Sequence, residues 1–495
     1  FLNKLSINKK MSSPVEIVIL SFYGSFIGLS KYLSKGNFDY FNDELIQIFT
    51  AAKMHYLNFS SINSTLKHHT PINSELFQLI FKVSDFNNFH LGMVVLETTF
   101  AIITTLLFYF VLKKLGNNTF INFIFSFVYI TFLSTELLLN RVIAQLIYVI
   151  LIFLIINYSE IRTNYMLFSI SFFAMLQIYN MESYVPALFL IFIYLIKNLF
   201  TNNREVLKTI FYSLCSLLII YFRFFLDGNL NNLYKSNYYF HLFNTINNLD
   251  LSNLFTSIGQ SNDFSFKHII FLFILVRIIL ISKTQTESSS VLKFEKLFLY
   301  WFVGEFIHLI LTGPRSMHYG LVLILPTVFL CYIYCDLLIE KRKITLTFIF
   351  VLLFSASFIG NFMQISLNIL ERRPTTLEKI VNTEDEQIIY SIINNNSISP
   401  TPMLTWIHPV DWNFAFTSLN KLPASNYWFW FFMKYYQTDK YTWENNWDEK
   451  EIVSDFYEDI NKEKPNFALV DKYMVAYPTF FQHLLDKDYE LIFDG

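Results

Sequence analysis

The stretch "RTNYMLFSISFFAMLQIYNMESYVPALFLIFIYLIKNLFTNN", residues 162–203, decides the fold. It holds two apolar runs, at 164–181 and 184–196, parted by the polar turn "NMES". Arg162 precedes the first run and Lys197 follows the second. Apolar runs near spanning length, joined by a short polar turn and flanked by cations, read as a helical hairpin that crosses a bilayer and returns. Working outward, similar runs recur at 14–33, 91–112, 119–139, 142–157, 206–222, 268–282, 296–312, 317–338 and 344–364. That makes eleven, some of them near the lower limit of length for a span.

Bulk composition agrees. The chain has 495 residues, 54% hydrophobic and only 15% charged, with a mean hydropathy of +0.39. A soluble domain rarely carries so little charge. The formal net charge of -2 gives no sign of a nucleic-acid partner. The 57 Phe, 30 Tyr and seven Trp suit lipid contact. They also fit a source biased toward Phe, Ile, Asn and Lys, so aromatic content alone carries nothing. Cys215, Cys331 and Cys335 all sit in apolar runs and read as small buried hydrophobes, since no zinc spacing appears. Lys4, Lys9 and Lys10 precede the first run without a small-x-small cleavage site, so that run reads as an uncleaved span. The chain opens on Phe1, which reads as a piece lacking its initiator.

The loops test the count. One alternate set holds Lys9 and Lys10, then "KKLGNN", "SEIRTN", "KNLFTNNREVLK", "SKTQTESSSVLKFEK" and "EKRK", each with Lys or Arg near a span end. The short loops of the other set, "STELLLN", "NMES" and "TGPRSMH", hold a single basic residue. The positive-inside rule then places the N-terminus in the cytoplasm and the C-terminus outside. Three long polar segments fall on the outer side: 34–90, 223–267 and the tail from about 365. The expected architecture is a mainly α, polytopic membrane module over 1–364, followed by a small α/β domain over 365–495.

Within the first outer loop, "NDELIQIFTAAKMHYL" and "NSELFQLIFKV" repeat apolar residues at helical spacing and read as amphipathic surface helices. Asp43 and Glu44 open the first, with Asn42 as cap. Two readings stand side by side: an acidic first turn that complements the helix dipole, or a carboxylate site beside the bilayer, able to act as a base on an acceptor. Arg315, His318 and Tyr319 lie in "TGPRSMHYG". A guanidinium there binds phosphate through its planar fork, or snorkels to headgroups. Tyr239, in the loop 223–267, covers a bound ligand or lines an interfacial aromatic loop. Glu136, Arg141 and Glu182 face outward and read first as loop solvation. Glu305 and His308, one turn apart, read first as a structural hydrogen bond within the bundle. In the tail, "PMLTWIH", "NFALVD" and "YELIFD" read as strands, and "DEQIIYSIINN", "DEKEIVSDFYEDINKEK" and "YPTFFQHLLD" as helices. Trp406, Asp411 and Trp412 are equally a sugar contact and aromatic packing.

These features together resemble the GT-C class of integral membrane glycosyltransferases, most like bacterial relatives of protein mannosyltransferases and of the aminoarabinose transferase for lipid A. The likeness rests on "NDE" early in the first outer loop, "HHTPIN" after it, "RSMHYGLVLILP" at a late span and "LPASNYWF" in the tail. Thr70 stands where many members have the first of two prolines, which weakens the carry-over to His69. The resemblance implies a sugar on a polyprenyl phosphate as donor, and a protein, glycolipid or polysaccharide as acceptor. It implies Asp43 as base with Glu44 in support, Arg315, His318 and Tyr319 on the donor phosphate, and His69 and Tyr239 in the pocket. Relatives that use a divalent cation imply Asp43 and His69 as its ligands. The implied setting is a bacterial inner membrane, with the tail domain periplasmic. Competing expectations are an O-antigen-type polymerase or ligase, a transporter or flippase without chemistry, and an inactive scaffold. The polymerase class tends to carry its large outer loop late. Transporters tend to show paired repeats, and no duplication is evident here.

Overall fold

The computed structural model describes residues 14–34, 48, 51–56, 71–83, 89–116, 118–136, 139–180, 184–226, 292–312, 323–340, 384–393, 401–406, 421–424, 449–470 and 479–492. These are mostly helical, with a small parallel sheet. In chain order the helices are α1 (Pro14–Ser34), α2 (Pro71–Val83), α3 (Phe89–Leu115), α4 (Thr119–Glu136), α5 (Leu139–Glu160) and α6 (Asn164–Asn180). Then come α7 (Val185–Tyr194), which continues as a π-turn over Leu195–Leu199, α8 (Asn203–Leu226), α9 (Leu292–Thr312) and α10 (Ile324–Glu340). Nine of the eleven apolar runs coincide with helices; those at 268–282 and 344–364 lie outside the described residues. Among the described residues, Leu91–Leu115, Val142–Glu160 and Asn203–Phe222 are long and apolar enough to cross a membrane. The helices at Pro14–Ser30, Thr119–Thr131, Val185–Leu199 and Ile324–Asp336 are apolar but shorter.

Cα packing divides the chain into two compact units. The first comprises Phe1–Lys31, Val94–Asp227 and His241–Glu371, and holds the apolar helices. Here α6 packs on α5 and α8, and α9 packs on α7 and α10. Small residues set the closest approaches. A Cβ on Gly304 would collide with the Ala187 backbone, so the α7–α9 contact requires glycine. Gly24 and Gly28, four apart on α1, face Ile102 and Thr98 of α3; a Cβ on Gly24 would lie 2.6 Å from Ile102 Cγ1. This spacing lets two membrane helices approach without bulk between them. Cys331 and Cys335 are free and buried, as expected.

Helix α8 is turned inside out relative to a soluble helix. Leu207, Ile210, Phe211, Leu214, Leu218 and Phe222 form one exposed stripe, with Leu218 at 71%. Thr209, Ser216 and Phe224 are its buried residues among those described. Ser171 on α6 donates to the Thr209 carbonyl at 3.3 Å. Water would not tolerate so long an apolar stripe; hydrocarbon does.

Cations gather at one end of this unit. Lys114 on α3 pairs with Glu160 on α5 at 3.2 Å. Arg162 reaches Glu205 on α8 at 4.0 Å, and Lys208 donates to Asn164 Oδ1 at 2.8 Å. A cap fixes the start of α8: the Glu205 amide donates to Asn202 Oδ1 at 3.1 Å, and the Thr201 amide donates to Glu205 Oε2 at 2.8 Å. The loops "KKLGNN", "SEIRTN" and "KNLFTNNREVLK" thus flank helix ends that meet.

The second unit comprises Tyr32–Met93, Gly228–Phe240 and Arg372–Gly495. It contains α2, a helical stretch at 51–56, α11 (Glu384–Ile393), β1 (Thr401–Trp406), β2 (Lys421–Pro423), α12 (Glu449–Glu463), β3 (Ala468–Val470) and α13 (Thr479–Asp488). The sheet order is β2-β1-β3, all parallel. Thr401 stands opposite Lys421, and Leu404 opposite Ala468. Phe456 and Ile460 of α12 and Leu484 of α13 pack with Leu404 and Ala424. Helix α12 ends at Lys464, whose φ of 45° closes the last turn through its amide to the Ile460 carbonyl. Pro465 follows and prevents continuation.

The expected strand "YELIFD" is not formed over 489–492. Tyr489 packs toward the core and donates to the Pro465 carbonyl at 2.8 Å, leaving Leu491 and Ile492 exposed. The third strand is instead β2, from "KLP".

Candidate functional site

The residues expected to carry chemistry, Asp43, Glu44, His69, Tyr239, Arg315, His318 and Tyr319, lie outside the described residues. So do Glu182, Asp411 and Trp412, and the side chains of Glu136, Arg141, His308 and Trp406. What the structure describes is the chain that leads to them. Helix α2 begins at Pro71, two residues after His69; proline at a first position loses no hydrogen bond and presets φ. Helix α9 ends at Thr312, three residues before Arg315, and α10 begins at Ile324, five after Tyr319.

The helical stretch 51–56 follows Asp43 and Glu44 in sequence. Ile48, Ala51 and Ala52 are fully buried. From α2, Phe77, Ile80 and Phe81 are buried at i, i+3 and i+4. The two segments meet through rings: Tyr56 lies edge-on to Phe81 at 5.6 Å, and His55 is parallel to Phe81 at 6.3 Å. Burial, and then the nearby Lys82 ammonium, hold the His55 imidazole below its usual pKa. So α2 spends its apolar face on a neighbouring segment of the same loop.

Lys53 stands out in this layer. It is fully buried. Burial pushes its ammonium pKa down to about 7, against an upward pull from Asp459 and Glu463 of α12 and a further downward push from Lys462. Sequence reasoning missed it. The signal was available: Lys53 falls four residues after Phe49, on the apolar face of its own helix. A second buried lysine, Lys421 on β2, donates to Thr401 Oγ1 at 2.6 Å and lies over the Phe467 ring at 5.5 Å. Burial lowers its pKa.

In the apolar unit, Glu305 is fully buried and accepts a hydrogen bond from Trp301 Nε1 at 3.0 Å. The structural reading of Glu305 therefore gains a partner one turn back, at i-4. Tyr148 packs on Trp301 with ring centroids 4.6 Å apart and lies edge-on to Tyr184 at 5.4 Å. Both ends of the Gln177 amide are buried without a hydrogen-bond partner among the described residues. Among those residues, no group of three His, Cys, Asp or Glu could hold a metal ion.

No protein-family model matches the chain, and no curated protein matches it.

Proposed function

We propose that the chain is a GT-C-like glycosyltransferase that spans the membrane eleven times, with its N-terminus in the cytoplasm. It moves a sugar from a polyprenyl phosphate to an acceptor on the outer face of a bacterial inner membrane. The observation that carries this reading is the order of "NDE", "HHTPIN", "RSMHYG" and "LPASNYWF", all assigned to one side by the alternation of basic loops. Helices of spanning length and the outward apolar stripe of α8 support the membrane setting.

In the reaction, Asp43 takes the proton from the acceptor, with Glu44 in support. The acceptor atom bonds to the anomeric carbon as the bond to the phosphate oxygen breaks, and the polyprenyl phosphate leaves. Arg315, His318 and Tyr319 neutralise the leaving phosphate. His69 and Tyr239 line the pocket.

The test is sugar transfer from a panel of polyprenyl-phosphate sugars to membrane extracts. Wild type should transfer from at least one donor. Asp43→Asn should lose about a hundredfold or more, the usual worth of a positioned base. Transfer by both at the same rate would remove Asp43 as base and point to Glu44.

A second reading draws on a separate observation. Glu97 and Glu305 are buried among apolar helices, where ionisable groups often mark a passage for solute. A lipid-glycan transporter would show uptake or flipping in vesicles and no transfer from any donor.

A further inference from the structure

We propose that the end of the helical unit where α6 and α8 begin is a docking surface for an acidic phospholipid, whose phosphate rests on Arg204 and Lys208 and whose acyl chain lies along α8. Two contacts hold the starts of these helices together. Lys208 donates to Asn164 Oδ1 at 2.8 Å, and Arg162 lies 4.0 Å from Glu205. Glu160 and Glu205, the carboxylates that α5 and α8 bring here, are already engaged. Glu160 pairs with Lys114 at 3.2 Å. Glu205 faces Arg162, accepts from the Thr201 amide and is only 16% exposed. Arg204, by contrast, is exposed and forms no ion pair among the described residues. Lys208 spends one of its three donors, and spends it on a neutral amide. Positive charge is therefore left over where these two helices start.

An apolar track begins beside it. Arg204, Leu207, Phe211, Leu214 and Leu218 recur at helical spacing, so the arginine heads the face of α8 that carries the stripe. The four apolar side chains are exposed. From Leu207 to Leu218 the stripe runs about 16 Å, close to the depth of one hydrocarbon leaflet, roughly 15 Å. Tyr165, next to Asn164 and exposed, adds an amphipathic ring of the kind that favours the headgroup boundary. A free phosphate would use the cations alone; the contiguous stripe selects a phosphate that carries a chain. A zwitterionic headgroup would bring a cation of its own to a place with surplus positive charge, so the complement is an acidic one. This surface rests on the membrane setting and not on sugar transfer.

The experiment uses the full-length chain in nanodiscs of phosphatidylcholine into which phosphatidylglycerol is titrated, with retained lipid counted by native mass spectrometry. Wild type should retain phosphatidylglycerol in preference to phosphatidylcholine. Arg204→Gln should weaken that preference about fivefold, and Arg204→Gln with Lys208→Gln about 25-fold, the expected effect of removing one and two cations beside an acidic lipid. Arg204 has no ion-pair partner among the described residues, so a loss in the single variant does not come from a broken internal pair. Phe211→Asn should also reduce retention. Lys462→Gln with Lys487→Gln removes the same charge from the other unit and should leave the preference intact. Glycerol phosphate, a headgroup without chains, should displace no lipid.

Equal retention of the two lipids by wild type would overturn the proposal, as would a preference unchanged in folded Arg204→Gln and in the folded double variant. A preference lost equally in the Lys462 and Lys487 pair would reduce it to net charge and overturn the site. Displacement by glycerol phosphate, or full retention by Phe211→Asn, would overturn the acyl contact with α8 and with it the choice of a lipid.

Discussion

A lysine without access to water releases its proton early, and the protein's stability then follows pH. The Lys53 ammonium titrates near 7 in the folded chain, against 10.5 when free. Between those values the unfolded chain holds a proton that the folded chain has released. Stability therefore rises with pH across that window, and the full penalty of burying the charge is felt below about 7. Melting curves of wild type and Lys53→Met should converge as pH climbs from 7 to about 10, with Lys53→Met the more stable at the acid end. A pH-independent gap would contradict this. Gln177 makes a different point. Its buried amide lacks a partner among the described residues, so Gln177→Leu should raise stability by about 1–3 kcal/mol in a detergent melt. A fall would mean that something polar occupies the site. Gln177 did not declare itself in the sequence, whereas Lys53 stands on the apolar face of its helix, four residues after Phe49. Glu305 was noticed beside His308, yet its described partner is Trp301, at the other end of the turn.

At the scale of elements, the helices were legible because apolar runs of spanning length need no tertiary partner to be read. Amphipathic α2 and α12 were legible through their periodicity. Strands were harder. A three-residue strand such as β2 exists only because β1 lies beside it, and "YELIFD" alternates well but finds no described neighbour. The "GSFIG" spacing of α1 and the Gly304 contact went unread, since small residues speak only when the facing helix is known. Gly304→Leu should drive α7 from α9 and cost several kcal/mol of stability, well above the roughly 1–3 kcal/mol of ordinary overpacking; a melt unchanged from wild type would deny that contact. Helix α8 offers the sharpest test of its surroundings. Leu214 is exposed, so in water Leu214→Arg would be harmless. In a bilayer it should cost about 2.5–3.5 kcal/mol of insertion free energy, measurable by glycosylation mapping of the inserted fraction.

For the whole molecule, the grouping of the basic loops was readable from charge, while assembly was not. The basic loops were assigned to one side from sequence, and Lys114, Arg162 and Lys208 do gather at one end of the helical unit. The candidate residues Asp43, His69 and Arg315 were named from a family pattern, which states what a residue does in relatives but not what surrounds it here. Cysteine labelling can check the sides: single cysteines placed at residues 36 and 380 should react with an impermeant reagent from outside, and one at 203 only after permeabilisation. The second unit also joins an early segment, Tyr32–Met93, to the tail, Arg372–Gly495, and that carries a consequence for synthesis. The ribosome delivers Lys53 roughly 400 residues ahead of Asp459, a delay on the order of 20–80 s at translation rates. Through that interval residues 32–93 wait for the tail, 372–495, that completes their compact unit.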